Sequence, residues 1–105
     1  MMNYDYKVSP LCYRKIYSFY HNVAKKYRHT YSEETMHKNI DNAINAIYQI
    51  EHTLLRRKPM LARWSKYHMA KAGNWYYAYK IDGSTIKILD ACHAQNMHNS
   101  NAKQD

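Results

Sequence analysis

The spacing of apolar residues changes from helical to alternating partway along the chain, and this change restricts the possible folds most. Between residues 11 and 54, apolar residues recur every three or four positions, which is typical of amphipathic helices. The segment NWYYAYKI, residues 74–81, alternates instead and predicts a strand with an aromatic face. Asp82–Gly83 then predicts a two-residue hairpin turn, after which TIKILDA returns as the partner strand. The sequence therefore predicts helices followed by a β hairpin.

Two helices are predicted from this spacing and from capping residues. The first covers residues 11–28 and follows Ser9, a suitable cap. The second covers residues 33–56, and either Ser32 or Thr30 can cap it. The two helices are expected to form a hairpin that packs on a sheet.

The remaining strands complete an α+β fold of order β-α-α-β-β-β. Residues 4–8 predict a short first strand, and residues 60–73 predict a further strand with a loop. The simplest solution is an antiparallel sheet with both helices on one face. We expect one domain over residues 1–98 and a mobile polar tail over residues 99–105. The aromatic face of residues 75–79 is expected to be core beneath the helices rather than a base-stacking surface.

The basic charge is segregated along the chain. The net charge is +8, and the segments 6–32 and 52–81 contain basic residues without a single acidic one. Such a surface favours an acidic partner, namely nucleic acid, an acidic protein segment or an anionic membrane. The three consecutive basic residues 56–58 either bind such a partner or stabilise the predicted helix end, because cations interact favourably with a helix C-terminus.

The composition gives no sign of export or of a disulfide framework. No signal peptide and no long apolar run is present, so we expect a cytoplasmic protein without membrane contact. Cys12 and Cys92 are expected to be reduced. A metal site at Cys92, His93 and His98 is disfavoured, because adjacent strand residues point to opposite faces.

Two segments carry a resemblance to a known family. The segments GNWYYAYKIDGSTIKIL and HAQNMH, together with the order of elements, resemble the RelE/ParE toxins of bacterial type II toxin–antitoxin modules. Gly73–Asn74 matches the family's Gly-(Asp/Asn)-Tyr-Arg stretch, and His93 and His98 match the start and end of its C-terminal His-Arg-Arg-x-Val-Tyr stretch. The resemblance implies an RelE/ParE-like toxin fold.

The chain departs from the family pattern at several functional positions. Tyr76 stands where many members carry a strand arginine, and Ala94–Gln95 replaces the Arg-Arg pair. His98 replaces the final tyrosine, and no glutamate lies near Pro59, where some ribonuclease members place an acidic base.

The resemblance implies cleavage of messenger RNA on the ribosome, without a metal or other cofactor. Such cleavage needs a base, an acid and cations that stabilise the phosphate. His98 is the first candidate for acid or base because of its position, and His93 is the second, either in catalysis or as a hydrogen-bonding residue. Family position favours Lys71 as a third catalytic residue. Tyr76 and Gln95 are expected to contact substrate.

Further substrate contacts are expected from the basic residues before the hairpin. On a regular strand, Arg63 and Lys71 would share one face, and only one face can line the substrate groove. Lys66 and His68 would lie on the other face. Arg63 is favoured by its chemistry, because a guanidinium binds phosphate in a bidentate manner.

Three functions stay open at this stage. The first is an RNA-cleaving toxin, the second a toxin that inhibits DNA gyrase without nuclease chemistry, and the third a non-catalytic member that binds only its antitoxin. In each case the partner protein is expected to be an acidic antitoxin, partly disordered when free, with apolar anchors.

Overall fold

The computed structural model describes residues 4–52 and 61–96. These residues form an α+β arrangement in the predicted order, with two short 3-10 helices between α2 and β2. The helices are α1 (Pro10–Lys26) and α2 (Glu33–Ile47), and the 3-10 helices are Ile50–His52 and Ala62–Trp64. The strands are β1 (Asp5–Val8), β2 (His68–Ala72), β3 (Trp75–Asp82) and β4 (Thr85–His93). No helix in these two ranges is both long and apolar enough to cross a membrane.

The four strands form one mixed sheet in the order β1-β4-β3-β2. Strands β2, β3 and β4 are antiparallel, but β1 pairs parallel to β4, so the prediction of an antiparallel sheet was wrong at its edge. A hairpin turn forces its two strands to run antiparallel. Strand β1 is separated from the other strands by two helices, so it can pair with β4 in either direction.

Both hairpins of the sheet turn on a glycine followed by one polar residue. Ala72 pairs with Trp75, so Gly73–Asn74 forms the first turn, with Gly73 at φ 63°. Asp82 pairs with Thr85, so the second turn is Gly83–Ser84 rather than the predicted Asp82–Gly83. Gly83 has φ 62° and is the first central residue, the position at which a type II′ turn requires positive φ.

The helix starts agree with the predicted caps. Ser9 Oγ accepts a hydrogen bond from the Cys12 amide at 3.2 Å, and Ser32 Oγ accepts one from the Thr35 amide at 3.0 Å. Each cap satisfies an amide that has no partner inside its helix.

The second helix ends well before its predicted end. Helix α2 stops at Ile47, and the chain turns so that Ile50 is buried and Glu51 meets β1. The Tyr6 hydroxyl donates to Glu51 Oε1 and accepts from the Glu51 amide, each at 3.0 Å. These contacts favour the turn over further helix. The rest of the predicted helix, including the basic run 56–58 and Pro59, lies outside the described residues.

The main core lies between the two helices and one face of the sheet, called here the helix face. Trp75, Tyr77 and Tyr79 are buried in it, so the prediction that these aromatic residues form core is confirmed. The Tyr77 hydroxyl donates to the Ala43 carbonyl of α2 at 2.9 Å. The Trp75 indole donates to the Tyr20 hydroxyl of α1 at 3.1 Å. Both buried polar groups therefore have partners in the helices.

A second, smaller apolar cluster covers part of the opposite, outer face of the sheet. Leu61 and Trp64 pack there on Met69, Ala78 and Cys92. Trp64 is 1% exposed and belongs to a 3-10 helix over residues 62–64 rather than to a strand.

Strand β2 is shorter than predicted, so residues 63–71 do not lie on the sheet faces that the sequence predicted. The strand begins only at His68, so Arg63 and Lys66 are not strand residues, and the predicted face pairing with Lys71 and His68 was wrong. Lys71 pairs with Tyr76 and lies with it on the outer face, whereas His68 pairs with Tyr79 on the helix face.

A β-bulge at Leu89 changes which residues of β4 face the helices. Ala78 pairs with Asp90 and Tyr79 pairs with Ile88, so Leu89 is left without a partner residue in β3. Before the bulge the even-numbered Ile88 faces the helices, and after it the odd-numbered Ala91 does so. The bulge therefore turns His93 toward α1 and places Cys92 in the outer cluster.

Candidate functional site

A basic cleft runs between α1 and the C-terminal half of β4. Strand β1 pairs with residues 85–88 of β4, and among the described residues no strand pairs with β4 beyond the bulge on that side. The cleft has a volume of about 430 Å³. Its polar wall consists of Arg14, Lys15, Ser18, Asn22, Arg63, His93 and Asn96. We call it the α1–β4 cleft.

A buried aspartate organises the cationic residues of this cleft. Asp90 is 8% exposed, and its carboxylate contacts Lys15 Nζ at 2.6 Å. Its second oxygen accepts from Trp64 Nε1 at 2.8 Å and lies 3.5 Å from Arg63 Nε. Burial alone would raise the pKa of Asp90, but the hydrogen bonds from Lys15 and Trp64 outweigh it and lower this pKa. The carboxylate therefore joins α1, β4 and the 3-10 helix 62–64.

The cleft keeps an excess of positive charge after this pairing. One carboxylate, Asp90, balances part of the charge of Lys15 and Arg63, and Arg14 adds a third cation. Arg14 is exposed and makes no ion pair within residues 4–52 and 61–96. Two guanidinium groups and an ammonium group in one concave site suit an anion such as phosphate.

His93 is held in a fixed position at the inner end of the cleft. Its ring stacks on Phe19, with the ring centroids 4.1 Å apart and the planes at 12°. It also meets Trp75 edge to face at 5.2 Å. Nδ1 accepts a hydrogen bond from the Gln95 amide at 3.0 Å. These contacts define both the plane and the rotation of the imidazole.

The surroundings of His93 favour a neutral ring that donates from Nε2. Because Nδ1 accepts from an amide, the ring proton belongs on Nε2. Desolvation lowers the pKa of His93, which further disfavours the imidazolium. If Nδ1 took up a proton, its N–H group would point at the N–H group of Gln95, and neither group could accept a hydrogen bond from the other. The geometry thus supports hydrogen bonding by His93 better than proton transfer.

We expect the pKa of His93 to fall below 6.5 in an NMR titration, and Phe19→Ala to raise it by exposing the ring to water. Since the folded pKa is lower than the unfolded one, His93 makes the protein less stable as pH falls from about 6.5 toward the folded pKa. Tyr17→Ala is the control, because it removes an exposed ring of the same helix outside the cleft. An unchanged midpoint in Phe19→Ala would show that the stacking does not control the pKa.

A second cavity adjoins the cleft on the other side of His93. It has a volume of about 510 Å³ and shares Phe19, Asn22, His93 and Asn96 with the cleft. Its wall is rich in aromatic rings and carboxamides, and we call it the amide–aromatic cavity. Its remaining members come from the C-terminal half of α1, from the α1–α2 connection, from α2, from the first hairpin turn and from Gln95 after β4.

The structure brings some of the predicted site residues together and separates others. Arg63 and His93 line the cleft, and Gln95 lines the amide–aromatic cavity. Lys71 and Tyr76 lie on the outer face of the sheet, away from both cavities. Three further predicted site residues remain, namely Lys66, His68 and His98. Lys66 is exposed in a turn, His68 lies beside Tyr79 with ring centroids 5.6 Å apart, and His98 is outside the described residues.

The sequence predictions missed Arg14, Lys15 and Asp90 as members of the site. A usable signal existed on α1, because residues 15, 18 and 22 are polar and follow helical spacing beside the apolar face. No such signal marked Asp90, whose role depends on the bulge and on the 3-10 helix 62–64. Within the described ranges, no three His, Cys, Asp or Glu side chains come together as a metal site.

Comparison with protein-family models, with curated proteins and with solved structures finds no match for this chain. The functional assignment therefore depends on the residues of the site and on the sequence resemblance.

Proposed function

We propose that the protein is the toxin of a bacterial type II toxin–antitoxin pair, and that it inhibits translation in the cytoplasm by metal-independent cleavage of messenger RNA. The observation that carries this proposal is the α1–β4 cleft, where Arg14, Lys15 and Arg63 converge against a single carboxylate. The toxin–antitoxin context comes from the resemblance of the C-terminal segments to the RelE/ParE family.

Each cleft residue has a role that its geometry supports. Arg14 and Arg63 bind the phosphate, because guanidinium groups match its oxygen atoms. Lys15 Nζ lies 2.6 Å from Asp90 Oδ1, so this lysine fixes the carboxylate and also adds positive charge to the cleft. His93 donates from Nε2 and orients the nucleotide. Proton transfer is assigned to His98 by the resemblance alone, and His98 lies outside the described residues.

Inhibition of DNA gyrase is the second candidate function, and the geometry of His93 favours it. A gyrase inhibitor needs no group that transfers protons, and His93 is placed as a donor rather than as an acid or base. Tyr76 on the outer face also stands where many members of the RelE/ParE family carry a strand arginine. The basic surface would then contact an acidic region of the enzyme or its DNA.

The partner in the cell is proposed to be an acidic antitoxin with apolar anchors. Helix α1 and its C-cap expose the large apolar side chains Leu11, Tyr17 and Tyr27, and Tyr27 lies beside Lys26 in the basic last turn of the helix. Opposite charges would speed the encounter, and apolar anchors would hold the complex. Co-expression should restore growth and yield a complex that persists at moderate salt.

Brief induction of the protein in cells tests the proposal. We expect a rapid loss of protein synthesis together with cleaved messages, and we expect His98→Ala to lose both effects because a positioned acid or base contributes about 10²- to 10⁴-fold. DNA damage signalling with filamentous cells would instead support gyrase inhibition. Normal growth without an antitoxin would contradict both toxin functions.

A further inference from the structure

The walls of the amide–aromatic cavity match the chemistry of a nucleobase. Its rings are those of Phe19, Tyr20, Tyr27, Tyr31 and His93. Its carboxamides are those of Asn22, Asn39, Asn74, Gln95 and Asn96. Aromatic rings stack on bases, and carboxamides both donate to and accept from base edges. No acidic residue is among the described residues that line this cavity.

Two polar groups of the cavity have hydrogen-bonding capacity that no other residue of the ranges 4–52 and 61–96 uses. Asn39 Nδ2 donates to the Tyr31 hydroxyl at 2.6 Å. This bond leaves the Tyr31 hydroxyl proton and the Asn39 carbonyl oxygen for other partners. The cavity therefore offers a donor next to an acceptor, which is the pattern presented by the hydrogen-bonding edge of a base.

The position of the cavity relative to the cleft supplies the second argument. Phe19 and His93 form a stacked pair that lines both spaces. Arg14 and Arg63 line only the cleft, whereas the tyrosine rings, most of the carboxamides and one cation, Lys26, line only the cavity. A nucleotide has the same division, since a charged phosphate adjoins a flat polar base.

We infer that the protein binds single-stranded RNA with one base inserted into the amide–aromatic cavity and the adjoining phosphate in the α1–β4 cleft. This inference rests on the proposed function, because it takes RNA as the substrate. It adds a base-binding site that the sequence resemblance does not imply. A strand is favoured over a free nucleotide because two guanidinium groups, those of Arg14 and Arg63, line the cleft and can bind neighbouring phosphates of the same strand.

Binding of short RNA strands to the full-length chain tests the inference. The probe is a fluorescent hexanucleotide with 2′-fluoro sugars, which lack the hydroxyl group that cleavage requires. An abasic strand with the same phosphates measures the contribution of the bases. We expect the base-containing strand to bind about tenfold more tightly than the abasic strand, because stacking on aromatic side chains contributes on that scale.

Matched variants locate this base contribution. Tyr27→Ala removes a cavity ring that is 50% exposed, and Tyr17→Ala removes a ring that is 43% exposed on the same helix but outside both cavities. We expect Tyr27→Ala to abolish the preference for the base-containing strand and Tyr17→Ala to keep it. Gln95→Ala should reduce the preference a few-fold, whereas Gln49→Ala, exposed after α2, should not. Circular dichroism checks that each variant is folded.

The outcomes separate the inference from the proposed function. If Tyr27→Ala and Gln95→Ala keep the full preference while the wild type binds RNA, the cavity is not a base site and the proposed function stands. If the wild type binds neither strand, both fail. A nucleoside monophosphate that binds as tightly as the strand, in a Tyr27-dependent manner, would also overturn the inference and would identify a site for free nucleotides.

Discussion

We expect Asp90→Asn to lower the free energy of unfolding by about 1.5–3 kcal/mol at neutral pH, since the buried donors of Trp64 and Ala91 lose a charged acceptor and the partly exposed Lys15 loses its counter-charge. The Asp90 carboxylate accepts from Lys15, from the Trp64 indole and from the Ala91 amide, all at 2.6–2.8 Å. An amide in its place would offer one acceptor oxygen and would direct its NH₂ group at other donors. Urea denaturation of the wild type and the variant measures the difference.

Asp82→Asn provides the matched control for this prediction. Asp82 pairs with Lys87 at 3.1 Å, but its side chain is 72% exposed. The loss of an exposed ion pair costs at most about 1 kcal/mol. Equal losses in the two variants would show that the Asp90 network does not stabilise the fold more than a surface pair does.

The pH dependence gives an independent check on Asp90. Its pKa is lowered in the folded protein, so its contribution is fully present above the unfolded value of about 3.9 and is lost as pH falls through the folded value. The stability gap between the wild type and Asp90→Asn should therefore be constant near neutral pH and should narrow below about pH 4. A gap that stays constant into that acidic range would contradict the assigned pKa direction.

The sequence predicted the parts of the fold that depend on local patterns. Ser9 and Ser32 cap their helices through bonds within three residues, which a pattern of residue types can reveal. The alternation of residues 75–79 revealed the face of β3 that packs on the helices. The end of α2 was missed, because it depends on the contact between Tyr6 and Glu51, which are 45 positions apart.

The candidate site was harder to predict because it depends on where the sheet departs from regular geometry. One unpaired residue, Leu89, reverses the faces of the residues that follow it, and periodicity does not show where such a bulge lies. The spacing between Arg63 and Lys71 predicted that Arg63 lies on a strand. In the structure Arg63 instead lies in the 3-10 helix 62–64, beside Asp90. The result is a cleft whose cations come from elements that are distant in sequence.

We expect Arg14→Glu to weaken the binding of single-stranded RNA about 10- to 150-fold, because a charge-assisted hydrogen bond contributes about 1.5–3 kcal/mol. Arg14 is the cleft cation that is exposed and has no ion pair in the described residues, so its replacement leaves the Asp90 network in place. The salt dependence should change as well. Losing one phosphate contact reduces the slope of log K against log salt by about 0.7 for a single strand. Fluorescence anisotropy at several salt concentrations measures both quantities.

Arg28→Glu separates the cleft from the general basic charge of the protein. Arg28 is an exposed arginine that lies outside both the cleft and the amide–aromatic cavity, and its replacement changes the net charge by the same amount. At physiological salt the Debye length is about 8 Å, so an exposed charge that makes no phosphate contact is largely screened and has a smaller effect on the affinity than a contacting one. Arg28→Glu should therefore leave the affinity close to that of the wild type. Equal losses in the two variants would mean that RNA binds through the overall charge, and the α1–β4 cleft would then have no special part in recognising it.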